Sequence, residues 1–220
     1  MATLIPVLKL KTILDGLIEY VRVDFESRTN EADTFLFKAL AGNRTDGYDF
    51  YEEAKNIFLR TSTSSRKIET RIMFTKDIAP TPTIFVREPA REKGIYNSIG
   101  SISGTRINLP NNQYTDEYRD TKKAAFEYMI TSDNPLETVL VAEVLYNLLL
   151  GAWETLQTQW FDLFDFSLKE LVANNELIPY PLYIKAVEIT VQFSNTVPGV
   201  QLDTLINAIN FADPTLRSEF

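Results

Sequence analysis

The sequence predicts an α+β fold: a mixed or antiparallel sheet packed against a long helix, with N-terminal helices and a projecting hairpin or long loop. Three observations predict it. Apolar residues recur at three-and-four spacing in the N-terminal part, and they switch to alternation near Ile68. From Pro135 onward they run almost unbroken through one helix with a clear start signal.

Leu10, Leu14, Leu17, Val21 and Phe25 define the first helix, with Ile13 and Ile18 widening the stripe. Pro6 stands where a first-turn proline is tolerated. A shorter helix is predicted from Glu31 to Ala41, stopped by Gly42-Asn43 in a left-handed cap. Phe50, Ala54, Ile57 and Phe58 predict a third, from about Tyr48 to Leu59.

Alternation of Ile68, Thr70, Ile72 and Phe74 with polar neighbours predicts a strand over about 67–76. Pro80 and Pro82 break it, and Thr83 to Arg87 reads as a second short strand. Residues 88–117 are polar and rich in turn residues, so they read as one long connection holding a hairpin around Ile99 to Asn108. Phe126, Tyr128 and Ile130 lie on one face of a strand near 118–131.

Asn134-Pro135-Leu-Glu137 opens the long helix over about 135–158. Asn134 is expected to accept from the N3 amide, Pro135 to occupy N1, and Glu137 to reach back toward the cap. Glu143, Asn147 and Glu154 fall within about 40° of one another on a helical projection, one narrow wet stripe on an otherwise apolar cylinder. Such a helix is either sandwiched in its own core or shared with a neighbour. Strands follow over 162–172 and from Tyr180, the second ending at Val197-Pro-Gly199, before an amphipathic piece with Leu202, Leu205, Ile206 and Ile209. The organisation expected is a helical segment over 1–62, a core over 63–196 and an extension over 197–220.

The chain contains no Cys and no His. Disulfides, thiolate metal sites, Ser-His-Asp and Cys-His catalysis are therefore excluded within it. Gly100 and Gly104 lack both the spacing and the Lys-Ser/Thr of a phosphate loop. Glu52-Glu53, Asp116-Glu117 and Asp162 with Asp165 are the acid pairs available to metal-dependent chemistry, but adjacent carboxylates diverge on a helix or strand. No catalytic, cofactor-binding or metal-binding residue is assigned, and no cofactor is expected. The apolar run of 136–153 contains Glu143 and Asn147 and reads as a buried helix, so no membrane span is expected.

Net charge is −8, unevenly spread: residues 1–110 hold 16 Lys/Arg against 14 Asp/Glu, and residues 111–220 hold 6 against 16. That balance argues against tight duplex binding. Arg60, Arg66, Lys67, Arg71 and Lys76 form a basic group interleaved with Glu69 and Asp77, which reads as solvated surface. Arg87, Arg91, Lys93 and Arg106 border the long connection, with Tyr96 among them. Such an arm suits an acidic neighbour of the same kind. With Leu202, Leu205, Ile209 and Phe211 of the extension, these five make the candidate subunit interface.

The order of elements resembles the tail-terminator and tail-completion family of tailed bacteriophages. Lys123-Ala-Ala-Phe-Glu-Tyr-Met-Ile-Thr-Ser-Asp-Asn-Pro-Leu-Glu137 carries the resemblance, running a strand into a capped helix, and Ile184-Lys-Ala-Val-Glu-Ile-Thr-Val191 resembles the closing strand. It covers about 65–195; the N-terminal helices and the C-terminal extension depart from it. The resemblance implies a non-enzymatic virion protein assembled in the host cytoplasm: a homo-oligomeric ring, hexameric or larger, at the head–tail junction. Its expected partners are other neck and tail proteins, with genomic DNA passing through the lumen without specific binding. The competing expectations are a neck or connector adaptor that contacts duplex DNA, and a carboxylate-based metal-dependent hydrolase.

Overall fold

The computed structural model describes residues 5–45, 47–72, 82–93, 101–108, 113–159, 163–170 and 183–198. The fold is α+β, as its sequence patterns predict. Helix α1 (Pro6–Ser27) has proline in its first turn and buries Leu10, Ile13, Leu14, Ile18 and Val21. The predicted second helix is split. A 3-10 turn, Glu31–Asp33, ends at Thr34, whose hydroxyl accepts from the Phe37 amide and starts α2 (Phe35–Leu40) afresh. Gly42 follows with φ of 86°, the left-handed stop expected there. A two-residue ladder, β1 (Arg44–Thr45) with β2 (Tyr48–Asp49), turns the chain into α3 (Phe50–Phe58), capped by Asp49.

Strand β3 (Glu69–Ile72) lies parallel to β4 (Thr83–Lys93), and β4 lies antiparallel to β6 (Gln113–Ser132). Strand β7 (Leu163–Glu170) pairs antiparallel with β8 (Tyr183–Pro198). The order is β3-β4-β6-β8-β7, a mixed sheet, with β5 (Ser101–Asn108) paired to β6 off that path. Strand content exceeds what the sequence predicts between 88 and 117. β4 continues past its expected end at Arg87 by a register shift between Arg87 and Ala90, where Pro89 has no amide to donate. β6 begins at Gln113 rather than near 118.

The chain divides into two compact units. One comprises Leu4–Gly94 with Lys122–Phe193. The other comprises Met1–Thr3, Ile95–Thr121 and Ser194–Phe220, and its described part is β5, the first residues of β6 and the last of β8. Within the first unit, the long helix α4 (Pro135–Gln159) packs on β7 and against α1, α2 and α3, while α1 also packs on β3 and β4. N-terminal helices and sheet thus share one core. Phe126, Tyr128 and Ile130 meet the helices from β6, and Phe164, Ile189 and Val191 meet them from the strands beyond. The Tyr128 hydroxyl donates to the Leu10 carbonyl at 2.8 Å, fastening β6 to α1. The opposite face of the sheet is also buried, at Phe85, Met129, Ile184 and Ala186.

α4 answers the alternative its sequence poses. Leu140, Val141, Val144, Leu145, Leu148 and Leu149 are buried in the chain's own core. It is long and apolar enough to cross a bilayer by length and composition, yet half of its most apolar window is buried inside the protein. The wet stripe is exposed at Glu143 and Glu154 and half-buried at Asn147, and Leu150, 59% exposed, borders it.

Candidate interaction surfaces

The predicted interface residues fall into three groups. Arg87 lies in β4 directly opposite Glu127 of β6, and its guanidinium pairs with that carboxylate at 2.6 Å. This cation is engaged within its own sheet. Arg91 and Lys93 stand at the end of β4, in register with Ala124 and Lys122, and Arg106 stands in β5 in register with Thr115. Tyr96, Leu202, Leu205, Ile209 and Phe211 lie outside the described residues. The hairpin near Ile99–Asn108 forms as β5 against the start of β6, from Ser101↔Arg119 to Asn108↔Gln113, with a bulge between Ile102 and Gly104.

The described members of the basic group of the N-terminal half are engaged internally. Arg66 is its centre, and its role is not the one its sequence neighbours imply. Its Nε and Nη2 donate to the two Glu137 oxygens at 2.7 and 2.6 Å, and Nη2 also meets Asp133. The Ser132 hydroxyl donates to Glu137 at 2.5 Å and accepts from the Asn134 amide at 3.0 Å. A planar guanidinium meeting a carboxylate with two parallel bonds is the strong form of ion pair. Here it joins the loop before β3 to the first turn of α4. The Arg66 hydrogen bond holds the Asp133 carboxyl below its ordinary range, and the Glu137 and Asp133 bonds raise Arg66 further.

The cap of α4 therefore differs from its sequence signature. Asn134 accepts from the Leu136 amide at 2.9 Å, one residue earlier than N3. Glu137 does not reach back to the cap; its carboxylate is spent on Arg66 and Ser132. A positive side chain 71 residues away outcompetes a local amide because it brings a full charge and two donors.

The other members are likewise occupied. Lys67 donates to the Asn56 and Leu59 carbonyls at 3.0 and 2.6 Å, closing the end of α3, while burial lowers its pKa. Arg60 pairs with Glu19 at 2.7 Å and Arg71 with Glu69 at 3.0 Å. Lys76 lies outside the described residues. Among the described acids, Glu52 pairs with Lys55, and Asp165 accepts from the Phe166 amide. No group of three or more acids that could hold a metal ion occurs among the described residues.

Two further sites carry no signal in the sequence. Asp24, on α1, is buried and accepts from the Phe35 amide at 2.6 Å, so one helix caps the next. Glu31 pairs with Lys55 at 2.9 Å and accepts from the Tyr51 hydroxyl, which lowers the carboxyl pKa; burial, then that bond, raises the phenol. Both depend on chain segments meeting in space, which periodicity does not record.

Glu143 opens onto a cleft of about 400 Å³ bounded by Leu40, Asn43, Arg44, Phe50 and Asn147. Arg44 is tied to Asp49 at 2.8 Å. Exposed apolar side chains gather on α1, at Ile5, Leu8, Tyr20 and Val23, and near the end of α4, at Leu150 and Trp153. The described members of the basic group are thus paired within the protein, and the exposed apolar side chains are scattered over α1 and the end of α4. No protein-family model matches the chain, and no curated protein matches it either.

Proposed function

We propose that this chain is a structural subunit that closes with copies of itself into a ring at the head–tail junction of a tailed phage, around the channel through which duplex DNA passes. The observation that carries the reading is the β5–β6 hairpin, whose paired segment belongs to a compact unit separate from the helix-and-sheet core. Its seven register pairs, from Ser101↔Arg119 to Asn108↔Gln113, form a ribbon that makes a contact surface available to another copy. Supporting it, Arg60, Arg66, Lys67 and Arg71 are each engaged by the protein's own groups, which weakens them as a phosphate-binding cluster. An acidic C-terminal half suits a wall past which DNA slides without sticking.

The test removes 95–119 and bridges the gap with a short flexible linker, then compares assembly with the full chain by electron microscopy, alone and with its neck partners. Full-length protein is expected in rings, and the shortened chain is expected to fold but not to assemble. A folded deletion variant that still forms rings overturns the proposal.

A further inference from the structure

Strand β7 ends the described strand order, and among the described residues no strand lies beyond it. An end strand presents amides and carbonyls to any chain with a matching edge. Leu163-Phe-Asp-Phe-Ser-Leu168 is well suited to such pairing, being aromatic and apolar with a single charge. The first unit therefore carries an association hazard unless that edge is occupied.

Two groups on it are occupied by side chains. The Trp153 indole nitrogen donates to the Phe164 carbonyl at 3.0 Å, and the Phe166 amide donates to the Asp165 carboxylate at 2.9 Å. Backbone groups of residues i and i+2 point to the same side of a strand, so that carbonyl and that amide are neighbours on one edge. The Trp153 donor, from α4, and the Asp165 acceptor, on β7 itself, therefore act along one edge of the strand. Trp153 is 43% exposed, so packing alone does not account for its position; its N–H is what the contact uses. Lys169 adds a charge at the far end of the strand, paired with Glu188.

We propose that β7 is a guarded sheet edge. Trp153 and Asp165 hold the backbone groups through which the β7 of a second copy would pair, and they keep two copies from joining into one continuous sheet. The guarded edge is a different surface from the β5–β6 ribbon, so it stands or falls independently of the ring.

The absence of native cysteine makes the test clean. Ser167→Cys puts one thiol on an exposed position of β7, in register with Glu188. Full-length protein with this change alone is compared, under dilute oxidising conditions, with the same protein also carrying Trp153→Phe and Asp165→Ala. Each guard lost removes a competing bond, so disulfide-linked dimer is expected to rise at least about tenfold in the unguarded protein. Tyr20→Cys in the unguarded background, a thiol on the exposed side of α1, reads unspecific association. Dimer rising through position 167 and not through position 20, with an unchanged circular dichroism spectrum, supports the guard. No rise at 167, or an equal rise at both positions, overturns it.

Discussion

Glu137 and Glu143 stand on the same helix within two turns of each other, and the protein treats them oppositely. Glu137 is 3% exposed and holds Arg66 and Ser132; Glu143 is exposed beside a cleft, with no hydrogen bond to a described residue. The same division separates Leu145, 2% exposed, from Leu150, 59% exposed. α4 thus has a covered side and an open side, and residue type does not decide which is which. Coverage is set by what lies across the gap: β7 and three helices on one side, solvent on the other.

The leucines give the widest separation. Leu145→Ala is expected to cost about 2–5 kcal/mol, because the core closes only partly around the lost atoms. Leu150→Ala is expected to stay within about 0.5 kcal/mol of the parent. Urea unfolding of both variants measures the gap; equal midpoints would erase the distinction between the two sides.

The carboxylates come next. Glu137→Ala removes the two-bond partner of Arg66 and leaves the Ser132 hydroxyl only its long bond to Asp133, and a loss of about 2–3 kcal/mol is expected. Glu143→Ala is expected to change stability by less than about 0.5 kcal/mol. A cycle with Arg66→Ala isolates the pair: if Glu137→Ala costs as much without Arg66 as with it, the ion pair is not what holds the helix start in place.

The cap sharpens the same contrast on a smaller scale. Asn134→Ala removes the acceptor for the Leu136 amide and is expected to cost about 1 kcal/mol. Asn134→Asp retains that acceptor, so near-parent stability is expected. An Asp variant as weak as the Ala variant would mean that the side-chain oxygen is not the active element.

Tyr48 turns the comparison around. Its hydroxyl is buried without a hydrogen-bond partner, and burial, with Glu137 nearby, pushes its pKa up. Covering a polar group helps only when it is satisfied, as Glu137 is. Tyr48→Phe is therefore expected to leave stability unchanged or raise it by up to about 1 kcal/mol. A clear loss of stability would require a bonded hydroxyl.

What was legible in the sequence follows the same line between local and distant causes. The stripe of α1, the alternation of β7 and β8 and the boundaries of α4 repeat over a few residues, so pattern alone reveals them. Glu31–Ala41 reads as one helix because Thr34, which satisfies a helix-start amide, directly joins two stretches that are each compatible with helix. The strand beyond Arg87 was hidden by Glu88-Pro89 and polar neighbours, since its pairing is supplied by β6 rather than by its own composition. Arg66 read as solvated surface because nothing near it in sequence announces Glu137. The candidate interface was legible only as composition: charge and aromatics along a connection mark exposure, not the partner that covers it.

The smallest effect expected is on pH dependence. Arg66, first by hydrogen bonding and then by its charge, holds the Asp133 carboxyl below its unfolded value. A depressed folded pKa contributes stability that is present above the unfolded value, about pH 4, and is lost as pH falls through the folded one. Asp133→Asn should therefore be less stable than the parent at neutral pH, and the difference should shrink as pH drops toward about 3. Half of the Asp133 side chain is exposed, so solvent screens the pair and keeps the effect below that of Glu137. Urea midpoints for both proteins across that range measure it. A gap that stays constant down to low pH would mean that Asp133 contributes through geometry, as a loop residue between β6 and α4, and not through its charge.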